Sequence, residues 1–264
     1  MSREVWRCGW KSARFVAVAL VATILLWWVA LRLAGVPRSV GQGPDQVWQY
    51  LFDPDKGAAR RGVVFGALAI TLRDAGLGYL LGLVVAGLGA VSFVLIPPLQ
   101  KLMYPTAVLL RTFPLVVLAP LIILLVGRGL TGVAVIGIIV VFFDGLVIIT
   151  AGLRGAPRTA VELILAYGGS DLSVLRRVAL PSAIPAVFAA ARLAFPVSLT
   201  GALLAEWLAT GHGIGAVIHQ APTQFHYAEM WAAVVAVTGA AIILSGVLQW
   251  LSDATHAAYE QEAR

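Results

Sequence analysis

The sequence predicts an all-α membrane protein of about six transmembrane helices, and three observations predict it. Hydrophobic residues make up 60% of the 264 and charged residues 12%. A soluble domain carries about 25% charged residues, so half of that leaves too little polar surface to coat a globule. Apolar runs of about 20 residues, the length that crosses a hydrocarbon core of about 30 Å, recur along the chain. The net charge of +6 is spread over the loops beside those runs, where basic residues set membrane orientation. No basic patch interleaved with aromatics is present, which argues against a nucleic-acid partner. The lone cysteine, Cys8, excludes an internal disulfide and a cysteine-based metal site.

The arm 1–14 carries Arg3, Arg7, Lys11 and Arg14. Phe15–Leu33 follows, too long for a signal-peptide core of about 7–15 residues, and is expected to be an uncleaved first span with its N-terminus inside. Residues 36–62 form a polar outer loop in which Gln46–Phe52, with Trp48 and Tyr50, reads as a short interfacial helix. Gly66–Ile96 is the second span; Gly62-x-x-x-Gly66 and Gly78-x-x-x-Gly82 place small residues on one face for close helix approach. Pro97 and Pro98 end it, and Leu99–Tyr104 is expected as a short turn holding Lys101. Pro105–Val126 is the third span, kinked at Pro114 and Pro120. Gly127-Arg128-Gly129-Leu130-Thr131-Gly132 fits a dinucleotide fingerprint in letters, yet it joins two spans without a βαβ context, so a glycine turn is expected. Val133–Leu153 is the fourth span.

Between the fourth and fifth spans lies the long charged segment 154–185. Pro157 suits the opening of a helix, and Val161, Ile164, Leu165 and Gly168 recur at helical spacing. Gly168-Gly169 ends it, and Ser170 or Asp171 suits the cap of a second helix. That helix carries Leu172, Leu175 and Ala179 on one side and Arg176 and Arg177 near its C-terminal end, where the dipole favours cations. Pro181 and Pro185 mark the return to the membrane. The fifth span is Ala186–Leu208, Gly211–Gly215 is expected as a flexible loop, and Met230–Trp250 is the sixth span. The membrane domain thus covers 15–251, with a tail over 252–264; both termini and the 154–185 segment are expected on the cytoplasmic side.

This central segment resembles the cytoplasmic loop of permease subunits of bacterial ATP-binding-cassette importers, E-A-A-x-x-x-G followed by I-x-L-P. Glu162 and Gly168 match its first half and Val178-Ala179-Leu180-Pro181 its second; Leu163-Ile164 replaces the two alanines. The runs Thr112–Gly129, Leu180–Phe195 and Leu203–Gly215 look like the nitrate, sulfonate, taurine and pyrimidine-precursor branch. The resemblance implies a type I importer-like bundle with a cytoplasmic coupling helix in a bacterial inner membrane. It also implies partner subunits: cytoplasmic ATPases, an extracytoplasmic substrate-binding protein, and a second copy or homologous permease. It carries Glu162, Gly168 and Pro181 over as coupling residues; Ser170, Asp171 and Arg176 join them on local exposure. No cofactor is expected.

The sequence holds no G-x-x-x-x-G-K-[ST] loop, so the chain is not expected to be an enzyme, and energy must come from a partner or an ion gradient. Arg111, Asp144, Arg192 and Glu206 fall within or near spans, where charges are costly and face the bundle interior. Two readings stay open: they line a substrate pathway, or they are structural, with Arg192 snorkelling and Glu206 pairing locally. An ion-driven secondary transporter or channel subunit is the alternative, but no inverted repeat supports it. A membrane enzyme finds no H-E-x-x-H or G-x-S-x-G.

Overall fold

In the computed structural model the described residues are 21–110 and 112–262, with side chains through 253. The arm with Cys8, the start of the first span and Arg111 therefore lie outside them. The described residues form helices: α1 (Val21–Leu33), α2 (Pro44–Leu51), α3 (Gly57–Leu95), α4 (Pro97–Leu110), α5 (Leu115–Val126), α6 (Leu130–Arg154), α7 (Arg158–Ala166), α8 (Asp171–Val174), α9 (Leu180–Ala205), α10 (Ile214–Thr223) and α11 (Tyr227–Glu262). Four stretches are long and apolar enough to cross a membrane: α3, α6, the continuous helix Asp171–Thr210 and Tyr227–Asp253. The pair α4 and α5 would be a fifth, broken one.

The core is α3, α6 and α9 packed on one another, with α11 against α9. Small residues permit that packing. On α3, Gly78 meets Gly137 of α6 so closely that a Cβ on Gly78 would lie 2.7 Å from the Gly137 Cα. Gly82 faces Val141, and Gly145 faces Ala86. The expected close approach therefore holds for Gly78-x-x-x-Gly82. It does not hold for Gly62 and Gly66, which have no neighbour within 4 Å of a built Cβ. Outer faces carry large exposed apolar side chains such as Leu124 and Leu125, as a lipid-facing surface does.

Three expectations are corrected. Leu99–Tyr104 is not a turn but part of α4, because Pro97 and Pro98 sit in a first turn where a missing N–H is harmless. The third span is not one kinked helix: α4 and α5 meet at 109°. Thr112 N and its Oγ1 both donate to the Leu109 carbonyl, at 3.0 and 2.7 Å, closing α4 in a tight turn. Pro114 then holds φ at −63° and ψ at 119°, which starts a new helix rather than bending the old one. Third, the second helix of the central segment is no separate piece: it runs through a π-helical turn, Leu175–Ala179, straight into α9.

Candidate functional site

The 154–185 segment builds from its glycines and prolines. Pro157, extended at ψ 121°, precedes α7. Gly168 takes φ +78°, where L side chains are strained, and Gly169 N donates to the Ile164 carbonyl at 2.9 Å, stopping the helix. Ser170 is extended, and its carbonyl accepts Ser173 N at 2.8 Å and Val174 N at 3.0 Å to start α8. Its hydroxyl does not cap the helix; it lies 3.2 Å from the Ser173 hydroxyl. A proline clashes with the carbonyl four residues earlier. For Pro181 that carbonyl belongs to Arg177, inside the π turn Leu175–Ala179.

Helix α7 buries none of its residues, yet Leu163, Leu165 and Tyr167 are exposed, Tyr167 by 86%. Glu162 and Asp171 come together with Arg154 and Arg158 on a cleft of about 310 Å3 at the ends of α3 and α6. Gly168, Ser170, Arg176 and Pro181 are exposed but do not line that cleft.

Among the described residues, the intramembrane charges Asp144, Arg192 and Glu206 do not converge. Arg192 is hydrogen-bonded to the Gln249 amide oxygen on α11. Asp144, half-buried on α6, lines an apolar cavity of about 500 Å3 formed where α4 breaks from α5, with Phe113, Phe143, Pro196 and Thr200. A second cavity of about 330 Å3 is lined by Thr200, Leu203, Leu204, Trp207 and His219. The Trp207 and His219 rings lie 4.9 Å apart. Thr200 and Leu204 line both cavities, so a single groove runs along one face of α9. Its positions on the helix Asp171–Thr210, namely Pro196, Thr200, Leu204 and Trp207, follow helical spacing. That stripe was visible in the sequence but indistinguishable there from any lipid-facing stripe.

Glu206 is fully buried. Its Oε2 accepts hydrogen bonds from the Thr71 hydroxyl at 2.8 Å and from Gly215 N at 2.9 Å. Ile214 N donates to the Thr71 Oγ1 at 2.9 Å. The expected flexible loop 211–215 is instead a fitted turn. Gly211 N closes a π turn on the Glu206 carbonyl at 3.0 Å, and Gly211 and Gly213 take φ of +67° and +87°. A Cβ on Gly213 would lie 2.3 Å from the Glu206 Cδ, and one on Gly215 2.3 Å from the Leu203 carbonyl oxygen. Sequence reasoning missed Thr71, whose partner is 135 residues away.

Residues 75–260 match the family described as binding-protein-dependent transport system inner membrane component. A probable ABC transporter permease protein of Haemophilus influenzae is 25% identical over 228 residues, covering 86% of this chain and 91% of its own. The riboflavin transport system permease protein RibX of Chloroflexus aurantiacus is 27% identical over 256 residues, 94% of this chain and 92% of that one. The fold is also similar to that of the MetNI methionine ABC transporter in an inward-facing conformation. The TM-score is 0.57 at 21% identity, over 74% of this chain and 93% of that one.

Proposed function

The chain belongs to the family of binding-protein-dependent transport inner membrane components and is a permease subunit of an ATP-binding-cassette importer; from that premise we propose how its two surfaces divide the work. The 154–185 knob docks a cytoplasmic ATPase, and the groove along α9 is one half of the substrate route. Both termini then lie in the cytoplasm, an extracytoplasmic binding protein delivers substrate to the opposite end, and a second copy or a homologous permease closes the groove.

One observation carries the docking reading. Helix α7 buries nothing of its own, presents Leu163, Leu165 and Tyr167, and leads within a few residues into the unbroken helix Asp171–Thr210. Exposed apolar anchors around a polar rim are what a partner groove recognises, and a continuous helix is a means of carrying the partner's movement into the membrane. Glu162 and Asp171, beside Arg154 and Arg158, supply that rim. ATP is hydrolysed by the partner, since this chain has no phosphate-binding loop.

The test is purification of the tagged chain from its own membrane in mild detergent, with mass spectrometry of the co-purifying proteins. A nucleotide-binding ATPase is expected, and a second permease in the sample identifies the pairing. Recovery without any ATPase from well-expressed membranes would move the function to an ion-driven transporter and leave the knob a loop.

A further inference from the structure

Helix Asp171–Thr210 begins at the knob and ends at Glu206–Thr210, a second π turn. The helix that follows, α10, supplies Ile218 and His219 to the far end of the groove. What holds α10 in place is apolar packing around Ile214, the Trp207–His219 ring contact and one polar junction. Glu206 from the end of α9, Thr71 from α3 and the first two amides of α10 meet within 2.8–2.9 Å. Apolar packing tolerates sliding, whereas hydrogen bonds fix direction and register. A separation of α10 from α9 would leave a buried carboxylate and two buried amides without partners, a heavy penalty for buried polar groups. The glycine contacts at 213 and 215 leave no slack between the helices.

We propose that Glu206 is a positioning residue that ties α10 to α9, so that movement of the knob is delivered to the far end of the groove. The inference rests on the knob being the coupling surface. Under it, α10 moves with α9 when the ATPases close, and the groove's outer end opens or shuts in step. The Thr71 hydroxyl is the second half of the tie, since it bonds both Glu206 and Ile214 N.

The experiment uses the complete transporter in nanodiscs, in a Cys8→Ser background that removes the chain's one thiol. A single reporter cysteine is placed at Gln220 on α10 or at Arg177 on the knob, both exposed. Thiol-labelling rates are compared with and without nucleotide trapped in the ATPases. With Glu206 present, the rate is expected to change at least fivefold at both positions. In Glu206→Ala the response at Arg177 persists and the response at Gln220 is lost. Glu206→Gln, which keeps an acceptor for Thr71 and Gly215, restores it in large part. If Glu206→Ala does not assemble, Thr71→Val is expected to give the same split in weaker form. A response at Gln220 that survives Glu206→Ala, or in the unassembled case Thr71→Val, overturns the tie. So does a Gln220 reporter silent in the parent, or loss of both responses together, which is what general destabilisation would do. A parent in which Arg177 itself ignores nucleotide overturns the coupling reading instead.

Discussion

The two ends of the helix Asp171–Thr210 are built alike and finished differently. Each has a π turn, Leu175–Ala179 at one end and Glu206–Thr210 at the other, and each adjoins glycines at positive φ. At the knob, Gly168 has nothing within 4 Å of a built Cβ, and the neighbouring Leu163 and Tyr167 have no core to enter. At the other end Gly213 abuts a carboxylate, and that carboxylate is fully buried among donors from two other helices. One end leaves its surface exposed; the other encloses its carboxylate within the chain, Oε2 holding both hydrogen bonds and Oε1 holding none among the described residues. The same residue type is therefore a conformational requirement at one site and both a conformational and a steric one at the other.

Substitutions sharpen that difference, beginning with the largest effect. Gly213→Ala combines a strained φ with a carboxylate clash, so a loss of about 3–5 kcal/mol is expected, read as a fall of about 10 °C in the melting temperature of the detergent-solubilised protein. Gly168→Ala carries only the φ penalty and should fall by less than half as much; equal losses would erase the contrast. Leu163→Asp should do the reverse, leaving the melting temperature within about 1 °C while weakening ATPase capture by roughly 30-fold, the loss of one anchor worth about 2 kcal/mol. A drop in melting temperature with capture intact would mean that Leu163 serves the fold. Thr71→Val removes the hydroxyl that bonds both Glu206 and Ile214 N, for about 1–3 kcal/mol of stability.

The smallest effect compares two carboxylates that both accept from backbone amides. Asp53, half-buried, takes the Asp55 and Lys56 N–H groups at 2.9 Å each. The Lys56 and Asp55 amides together hold its carboxyl below its ordinary value of 3.8. A depressed folded-state value means that the contribution is present above the ordinary value and is lost as pH falls through the folded one. Asp53→Asn should lower the melting temperature slightly at pH 7, and the gap should close as pH drops below about 4. A gap that widens on acidification would reverse the assignment.

The sequence made the local features legible. Apolar runs marked the spans, Pro157 and Gly168 bounded α7, and Gly127 and Gly129 formed a turn at φ of +94° and +107°, shorter than the expected 127–132 because α6 already starts at Leu130 and takes in Gly132. What it hid was non-local or a matter of degree. A proline inside an apolar run signals either a kink or a stop. Pro114 became a stop because Thr112 had already closed the preceding turn. Gly62-x-x-x-Gly66 and Gly78-x-x-x-Gly82 are the same motif, and only the second finds a facing helix. The glycines at 211, 213 and 215 read as looseness because a sequence shows the freedom that glycine permits. The carboxylate and carbonyl that require it belong to neighbouring backbone turns and become visible only in three dimensions.

The contact between Gly78 and Gly137 has a mechanical consequence. Where helices meet through long side chains, rotamer changes absorb small displacements before the backbones respond. Here a Cβ on either glycine would lie within 2.7 Å of the other's Cα, so no side chain stands between α3 and α6 to act as a cushion. The junction cannot compress. It has the properties of a fulcrum. If the knob is the coupling surface proposed above, a push on it would turn the helix pair about that point, and the displacement would grow with distance from it. Since α3 runs 39 residues, about 58 Å, even a tilt of a few degrees becomes a shift of ångströms at its ends.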